Sequence, residues 1–227
     1  MATARTFEEV EQLSLAQKAA SSMREAILSG KLLSGAQLVE AEIAEQMNIS
    51  RAPIREAFRE LEGEGLVQRI PYKGTFVAQL SREDIQEVYS LRSSIESLSA
   101  RLAAEHATPE DLARLEAIVS QMLQAAQANE IERVTDLDLH FHRAVCEISG
   151  HKLLQQVWRG LEQKVRLILS MRHRLHREIG VVVTMHHPLL DSFRAHDGEA
   201  AARCMVEHII SGGEYILKDW PVMEKEA

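Results

Sequence analysis

The chain is organised around residues 40–78, which read EAEIAEQMNISRAPIREAFRELEGEGLVQRIPYKGTFVA. This stretch predicts a helix over 40–47, a tight turn, a second helix over 50–63 and then a hairpin. The second helix has a buried stripe at the i, i+3, i+4 and i+7 spacing, formed by Ile54, Ala57, Phe58 and Leu61. Its arginines recur every four residues on another face, at Arg51, Arg55 and Arg59. A helix of this kind after a short turn is typical of a DNA recognition helix.

Local signals support these boundaries. Asn48 tolerates the left-handed conformation that a tight turn needs, and Ser50 is a good N-cap for the second helix. Short strands are predicted at Leu66–Ile70 and Thr75–Gln79, joined by a turn that carries Lys73 at its tip. A hairpin beside such a helix pair is a wing, so the sequence predicts a winged helix-turn-helix.

The chain on either side of this stretch is predicted to be helical. A helix capped by Ser14 is expected through about Leu28, and a loop is expected over 31–38. The sequence after Ser81 resembles a capping box, and the expected helical stretches are 82–106, 109–128, 130–148, 151–177, 180–196 and 198–217. We therefore predict a mainly α protein: a winged helix-turn-helix domain over 1–80 and an all-α antiparallel bundle of about six helices over 81–227.

Composition restricts the function. The net charge of −8 argues against non-specific binding of nucleic acid by the whole protein. Residues 1–80 hold nine Lys and Arg against eleven Asp and Glu, so DNA binding must depend on where the charges lie. Cys146 and Cys204 are far apart in no metal or redox spacing, which suits a reducing cytoplasm. No apolar run is long enough to span a membrane, so a cytoplasmic location is expected.

A second set of residues predicts a metal site. Asp138 and His142 are four residues apart and share a helix face. His186 and His208 each lie 11 residues from Asp197, so a reversal at Asp197 would put them side by side on antiparallel helices. Three imidazoles and a carboxylate could hold Zn²⁺, Ni²⁺, Mn²⁺ or Fe²⁺. The alternative is that these are ordinary surface or core histidines, and the spacing leaves His186 and its neighbour His187 both open.

Both halves resemble one family. Residues 14–78 resemble the winged helix-turn-helix of GntR-type bacterial transcriptional regulators, through the runs LVE at 38–40, SRAPIREA at 50–57, LEGEGLV at 61–67 and GTFV at 74–77. Residues 82–210 are similar to the FCD domain of the FadR-type branch. This second likeness rests on Leu91-Arg92, Glu96, Asp138, Phe141-His142, Ser149-Gly150, His186, Asp197, Ala201 and His208.

The resemblance implies that Asp138, His142, His186 and His208 bind the metal, and it selects His186 over His187. Two positions depart from the family pattern: His151 replaces an Asn, and Met185 replaces a Glu. A third, Ala41, stands where relatives can carry a DNA-contacting Arg.

We therefore expect a ligand-responsive regulator that binds an inverted-repeat operator as a homodimer. The residues expected to contact DNA are Ser50, Arg51, Ala52, Arg55, Lys73 and Gly74. The effector is expected to be a small carboxylate at the metal, held also by Arg92 and Arg172. Two alternatives remain: a metal-dependent enzyme acting on a small organic acid, and a regulator whose metal is purely structural.

Overall fold

The computed structural model describes residues 14–175 and 183–226. It confirms the expected class, a winged helix-turn-helix followed by a helical bundle. The helices are α1 Leu15–Leu28, α2 Glu40–Gln46, α3 Arg51–Gly63, α4 Arg82–His106, α5 Pro109–Gln127, α6 Ile131–Ile148, α7 Lys152–Leu175, α8 His187–Arg194 and α9 Gly198–Glu226. The strands are β1 Gln37–Leu38, β2 Val67–Ile70 and β3 Gly74–Val77.

The winged part is built around α3. Ser14 forms the expected cap of α1, in a capping box with Gln17. The buried stripe of α3 packs against the buried face of α1. Asn48 adopts the expected left-handed conformation, with φ of 52°. Ser50 occupies the N-cap position of α3, but the prediction that its side chain caps the helix is wrong, because its hydroxyl makes no capping hydrogen bond.

The wing contains one more strand than the sequence predicted. β3 pairs antiparallel with β2 on one side and with β1 on the other, in the order β1-β3-β2. The expected loop over 31–38 therefore ends in a strand of two residues, too short to leave a pattern in the sequence. Gln37 ties this strand to the wing tip, since its Nε2 donates to the Lys73 carbonyl at 3.1 Å.

The bundle begins at the capping box of Ser81 and Asp84. Within the bundle α9 packs along α4, α5 along α6, and α6 against both α4 and α7. Gly213 allows the close approach of α9 to α4, because a Cβ at that position would lie 2.7 Å from the Tyr89 ring. In the part of the chain that the structure describes, no helix combines the length and the hydropathy needed to cross a bilayer.

Two expected helices differ from the observed ones. The predicted helix over 180–196 is wrong at 185–186, where the chain turns before α8 begins. The break has a local cause, because Pro188 has no N–H to donate to the Thr184 carbonyl. The last helix continues past 217 to Glu226 although Pro221 lies inside it. Pro221 has no N–H for the Leu217 carbonyl, which instead accepts a hydrogen bond of 3.0 Å from Arg82 Nη1. Residues 176–182, at the ends of two predicted helices, lie outside the described residues.

Candidate metal centre and nucleic-acid interface

Four side chains from three segments of the bundle meet in its core. Asp138 and His142 lie on α6, His186 directly precedes α8, and His208 lies on α9. One donor atom from each lies within 4.8 Å of the other three. The first three residues are buried, at 6%, 0% and 0% exposure. Of the two adjacent histidines, His186 faces the cluster, whereas His187 is exposed with its Nδ1 3.3 Å from the Thr184 carbonyl.

The donor atoms are closely spaced. His142 Nε2 lies 3.1 Å from His208 Nε2 and 4.0 Å from Asp138 Oδ1, and His186 Nε2 lies 3.3 Å from that same oxygen. Phe141 packs edge-on against the His186 ring, with the ring centroids 4.7 Å apart. The centre is therefore a polar cluster in an apolar surround.

The electrostatics favour the ligand form of Asp138 and His208. Burial alone would raise the pKa of Asp138, but His186 and His142 beside it hold that pKa well below its usual range. The pKa of His208 is lowered well below 6.5, first by burial and then by its histidine neighbours. An ionised carboxylate and a neutral imidazole are the states in which these side chains bind metals.

The donor set fits a first-row divalent ion. Around an octahedral ion with bonds of about 2.1 Å, opposite donors are about 4.2 Å apart, and the four donor atoms already lie within 4.8 Å of one another. Imidazole suits Zn²⁺, Ni²⁺ and Fe²⁺, and the carboxylate extends the range to Mn²⁺. His142 and His208 present two imidazole nitrogens to each other across 3.1 Å.

Sequence reasoning missed the role of one residue beside the cluster. Glu96 of α4 is 1% exposed, and its Oε2 lies 2.5 Å from His142 Nδ1. Its Oε1 accepts a hydrogen bond of 2.8 Å from Arg92 Nε. The Arg92 guanidinium also lies over the rings of Tyr89 and Trp158, at 5.1 and 5.3 Å. The sequence signal that could have identified Glu96 was its opposite charge to Arg92, four residues away on the same helix.

A cavity of about 180 Å³ opens beside the cluster. Arg92, Asp138 and His208 form part of its wall, and the rest includes Met185 and Tyr215. Of the two arginines expected to hold an effector, the structure therefore brings Arg92 to the cavity. Arg172 lies in α7, and its side chain falls outside the described side chains.

The two departures from the family pattern near this centre have visible consequences. His151 precedes α7, and its Nδ1 accepts a hydrogen bond of 3.3 Å from the Leu154 amide, so it caps the helix. Met185 replaces a carboxylate with an apolar wall of the cavity.

The expected DNA-contacting residues lie together on the winged part. Ser50, Arg51, Ala52 and Arg55 are exposed at the first two turns of α3. Arg55 forms an ion pair with the start of α2, where its Nε lies 3.1 Å from Glu40 Oε2. Both partners are well exposed, at 57% and 36% of the side chain, so this pair contributes only about 0.2–1 kcal/mol.

The wing tip carries the other expected contacts. Lys73 and Gly74 are exposed, and Gly74 has a φ of 115° that favours glycine. Sequence reasoning passed over Tyr72, which is fully exposed at the tip with a φ of 63°. The only sequence signal that this aromatic side chain is exposed was its position in the turn at the wing tip.

Comparisons with known proteins cover nearly the whole chain. Residues 15–77 match the family described as bacterial regulatory proteins, gntR family, and residues 87–211 match the FCD domain. The chain is 31% identical over 185 residues to the probable D-xylose utilization operon transcriptional repressor of Paenarthrobacter nicotinovorans, covering 81% of this chain and 80% of that protein. It is 30% identical to the galactonate operon transcriptional repressor of Escherichia coli, covering 82% and 89%.

The fold has a close counterpart among solved structures. A putative GntR transcriptional regulator from Rhodococcus sp. RHA1 superposes with a TM-score of 0.77 at 26% identity. The match covers 91% of this chain and 99% of that one.

Proposed function

This chain belongs to the GntR family of bacterial regulatory proteins, in the branch with an FCD domain, and we propose that it is an effector-controlled transcriptional repressor. The family consists of DNA-binding regulators and not of enzymes. Repression is proposed because both relatives described above are named repressors. The observation that carries effector control is the buried donor cluster, which forms part of the wall of a cavity.

On the DNA side, the exposed start of α3 enters the major groove. Arg51 and Arg55 reach guanine edges or phosphates there, and Ser50 donates its hydroxyl to a phosphate because the helix does not use it. Ala52 lies beside them against the base edges. Lys73 and Gly74 at the wing tip enter the adjacent minor groove. This assignment is supported by their common exposure on one domain.

The functional unit is a homodimer that reads an inverted repeat. Support comes from apolar side chains left uncovered on the bundle. Leu91 and Leu98 are 44% and 38% exposed, two turns apart on α4, and Leu153 and Val157 are 61% and 36% exposed, one turn apart on α7. Since α4 and α7 are in contact, these residues can form one apolar surface that a second copy would cover.

The effector is a small carboxylate that occupies the cavity. Asp138, His142, His186 and His208 would hold a divalent ion, which would offer the effector a positive centre for its oxygen donors. Arg92 offers its guanidinium to a second carboxylate, because its one hydrogen bond among the described residues uses Nε only. Arg101 and Arg166 are not needed, since they pair with Glu199 and Asp136.

Helix α7 is the route by which the cavity can influence the DNA-binding part. Leu169 lines the cavity, and Trp158 lies beside the Arg92 guanidinium. Between them, the methylenes of Lys164 lie against Gly65, just past the end of α3, and its Nζ is 4.0 Å from Asp84 at the start of α4. A shift of α7 on effector binding would therefore act on the turn that follows α3 and on the junction between the domains.

A purely structural ion is the second candidate, because a buried four-donor cluster would stabilise the bundle without any effector. The cavity next to the cluster favours the effector. The enzyme alternative is disfavoured because both relatives are named transcriptional repressors.

The test begins with operators selected by the wild-type protein from random duplex DNA. The zinc-loaded protein is then titrated with a panel of C3–C6 hydroxy-carboxylic acids while operator binding is followed by fluorescence anisotropy. We expect at least one acid to lower operator affinity tenfold or more, and only in the metal-loaded protein.

An Asp138→Asn variant is the matched control, because it is nearly isosteric and removes the anionic donor. It should bind the operator but ignore the acids. Failure of the wild-type protein to select any DNA sequence would refute the proposal that it is a transcriptional regulator. Zinc-dependent stabilisation with no response to any acid would favour the structural ion instead.

A further inference from the structure

A buried carboxylate on α4 faces the back of one proposed ligand. Glu96 Oε2 lies 2.5 Å from His142 Nδ1, and neither atom has another hydrogen-bond partner among the described residues. The distance is short enough for the two atoms to share a proton, and a carboxylate oxygen can meet an imidazole nitrogen favourably only when one of them carries it. His142 is fully buried, so no solvent competes for this nitrogen.

Arg92 fixes the carboxylate in place. Its Nε donates to the other oxygen of Glu96 at 2.8 Å, and the two side chains are 4% and 1% exposed. A buried ion pair of this kind usually contributes little to stability, because desolvation offsets the attraction. The pair therefore calls for another explanation, and the imidazole that Glu96 touches supplies one.

The position of the proton on His142 decides whether it can bind an ion. A neutral imidazole carries one N–H and one lone pair. Its Nε2 is the atom in the cluster, 3.1 Å from His208 Nε2, so a ligand role requires the proton to reside on Nδ1. A carboxylate can only accept at Nδ1, and so it selects the tautomer with a free Nε2.

We propose that Glu96 is a positioning residue of the metal centre: it keeps the proton of His142 on Nδ1 and turns Nε2 toward the ion, while Arg92 holds Glu96. The inference rests on the proposed metal-dependent function. Carboxylates behind metal-binding histidines fix ring orientation in this way, and their loss lowers metal affinity about 10- to 100-fold. His208 provides the contrast, because its Nδ1 has no hydrogen-bond partner among the described residues.

The two partners of residue 96 make Glu96→Gln a sharp test. Arg92 is only a donor, so the single amide oxygen of Gln must face it. The NH₂ group then faces His142 Nδ1, which must accept, and the ring proton moves to Nε2. The variant therefore keeps the shape of the side chain but blocks the ligand atom.

The experiment measures two quantities. Nitrogen-15 NMR of the imidazoles in the metal-free protein at pH 8 reports the His142 tautomer, and competition with a chromogenic chelator reports zinc affinity. We expect wild type to carry the proton on Nδ1, and Glu96→Gln to carry it on Nε2 with zinc affinity lowered about 10- to 100-fold. Glu87→Gln, an exposed change on the same helix, should alter neither quantity.

A second variant keeps the inference testable if Glu96→Gln does not fold. Arg92→Met with Glu96→Leu replaces the whole buried ion pair by apolar side chains, which folded proteins often tolerate. It too should lose zinc affinity about 10- to 100-fold. Wild-type affinity in this folded double variant, or a wild-type His142 with its proton on Nε2, would overturn the inference. The tautomer is read without metal, so it tests Glu96 even if the wild-type protein binds no zinc and the proposed function fails.

Discussion

Arg55→Ala should separate DNA reading from folding. Its side chain is 57% exposed, and its ion pair with Glu40 is worth only about 0.2–1 kcal/mol, so the thermal midpoint should fall by less than about 4 °C. A bidentate contact with a guanine edge contributes about 1–3 kcal/mol. Losing it should weaken operator binding roughly 5- to 150-fold per half-site.

Fluorescence anisotropy with a selected operator and a scrambled duplex of equal length measures this effect. Arg59→Ala is the matched control, since it removes the same charge from an exposed position one turn further along α3. Arg55→Ala should lose affinity for the operator far more than for the scrambled duplex, whereas Arg59→Ala should affect both about equally. A folded Arg55→Ala protein with wild-type operator affinity would refute the assignment of Arg55 to base reading.

Three further predictions follow from packing and burial. Leu91→Glu with Leu98→Glu should convert a dimer to a monomer in sedimentation, because it charges the exposed apolar surface of α4; an unchanged dimer would place the interface elsewhere. Chelation should lower the thermal midpoint of the wild-type protein by roughly 5–10 °C, which is the stabilisation lost when an ion had been present at about 100 times its Kd. The thermal midpoint of Asp138→Asn should not change on chelation, and equal shifts in both proteins would argue against the metal site. A thiol reagent at pH 8 should label Cys204 first, because burial raises the pKa of Cys146 to about 12; equally fast labelling of both would contradict the packing of α6.

Local signals explain what could be predicted from the sequence. The caps at Ser14 and Ser81, the left-handed turn at Asn48 and the buried stripe of α3 all depend on residues within a few positions of each other. The spacing of His186 and His208 about Asp197 predicted that the two would lie side by side, and their ring centroids lie 4.5 Å apart, although His186 precedes α8 and is not on a helix as expected.

The features that were missed depend on distant parts of the chain. β1 is a strand only because β3 lies beside it, and a strand of two residues is too short to show the alternation of apolar and polar side chains. Glu96 looked like half of a helical ion pair, and its contact with His142 requires that α4 and α6 pack face to face. The hydroxyl of Ser50 could not be known to be free of the helix, since serine at an N-cap usually bonds to it.

The proposed metal centre is tested most directly by the metal content of the purified protein after reconstitution with zinc and removal of excess, measured by inductively coupled plasma mass spectrometry. Asp138, His142, His186 and His208 form the only potential metal cluster identified in the part of the chain that the structure describes. We expect one ion per wild-type chain and less than about a tenth of an ion in a folded His186→Ala variant, whose buried ligand is removed. A wild-type protein that retains no ion after reconstitution with zinc, nickel, manganese or iron in turn would contradict the assignment of these four residues as metal ligands.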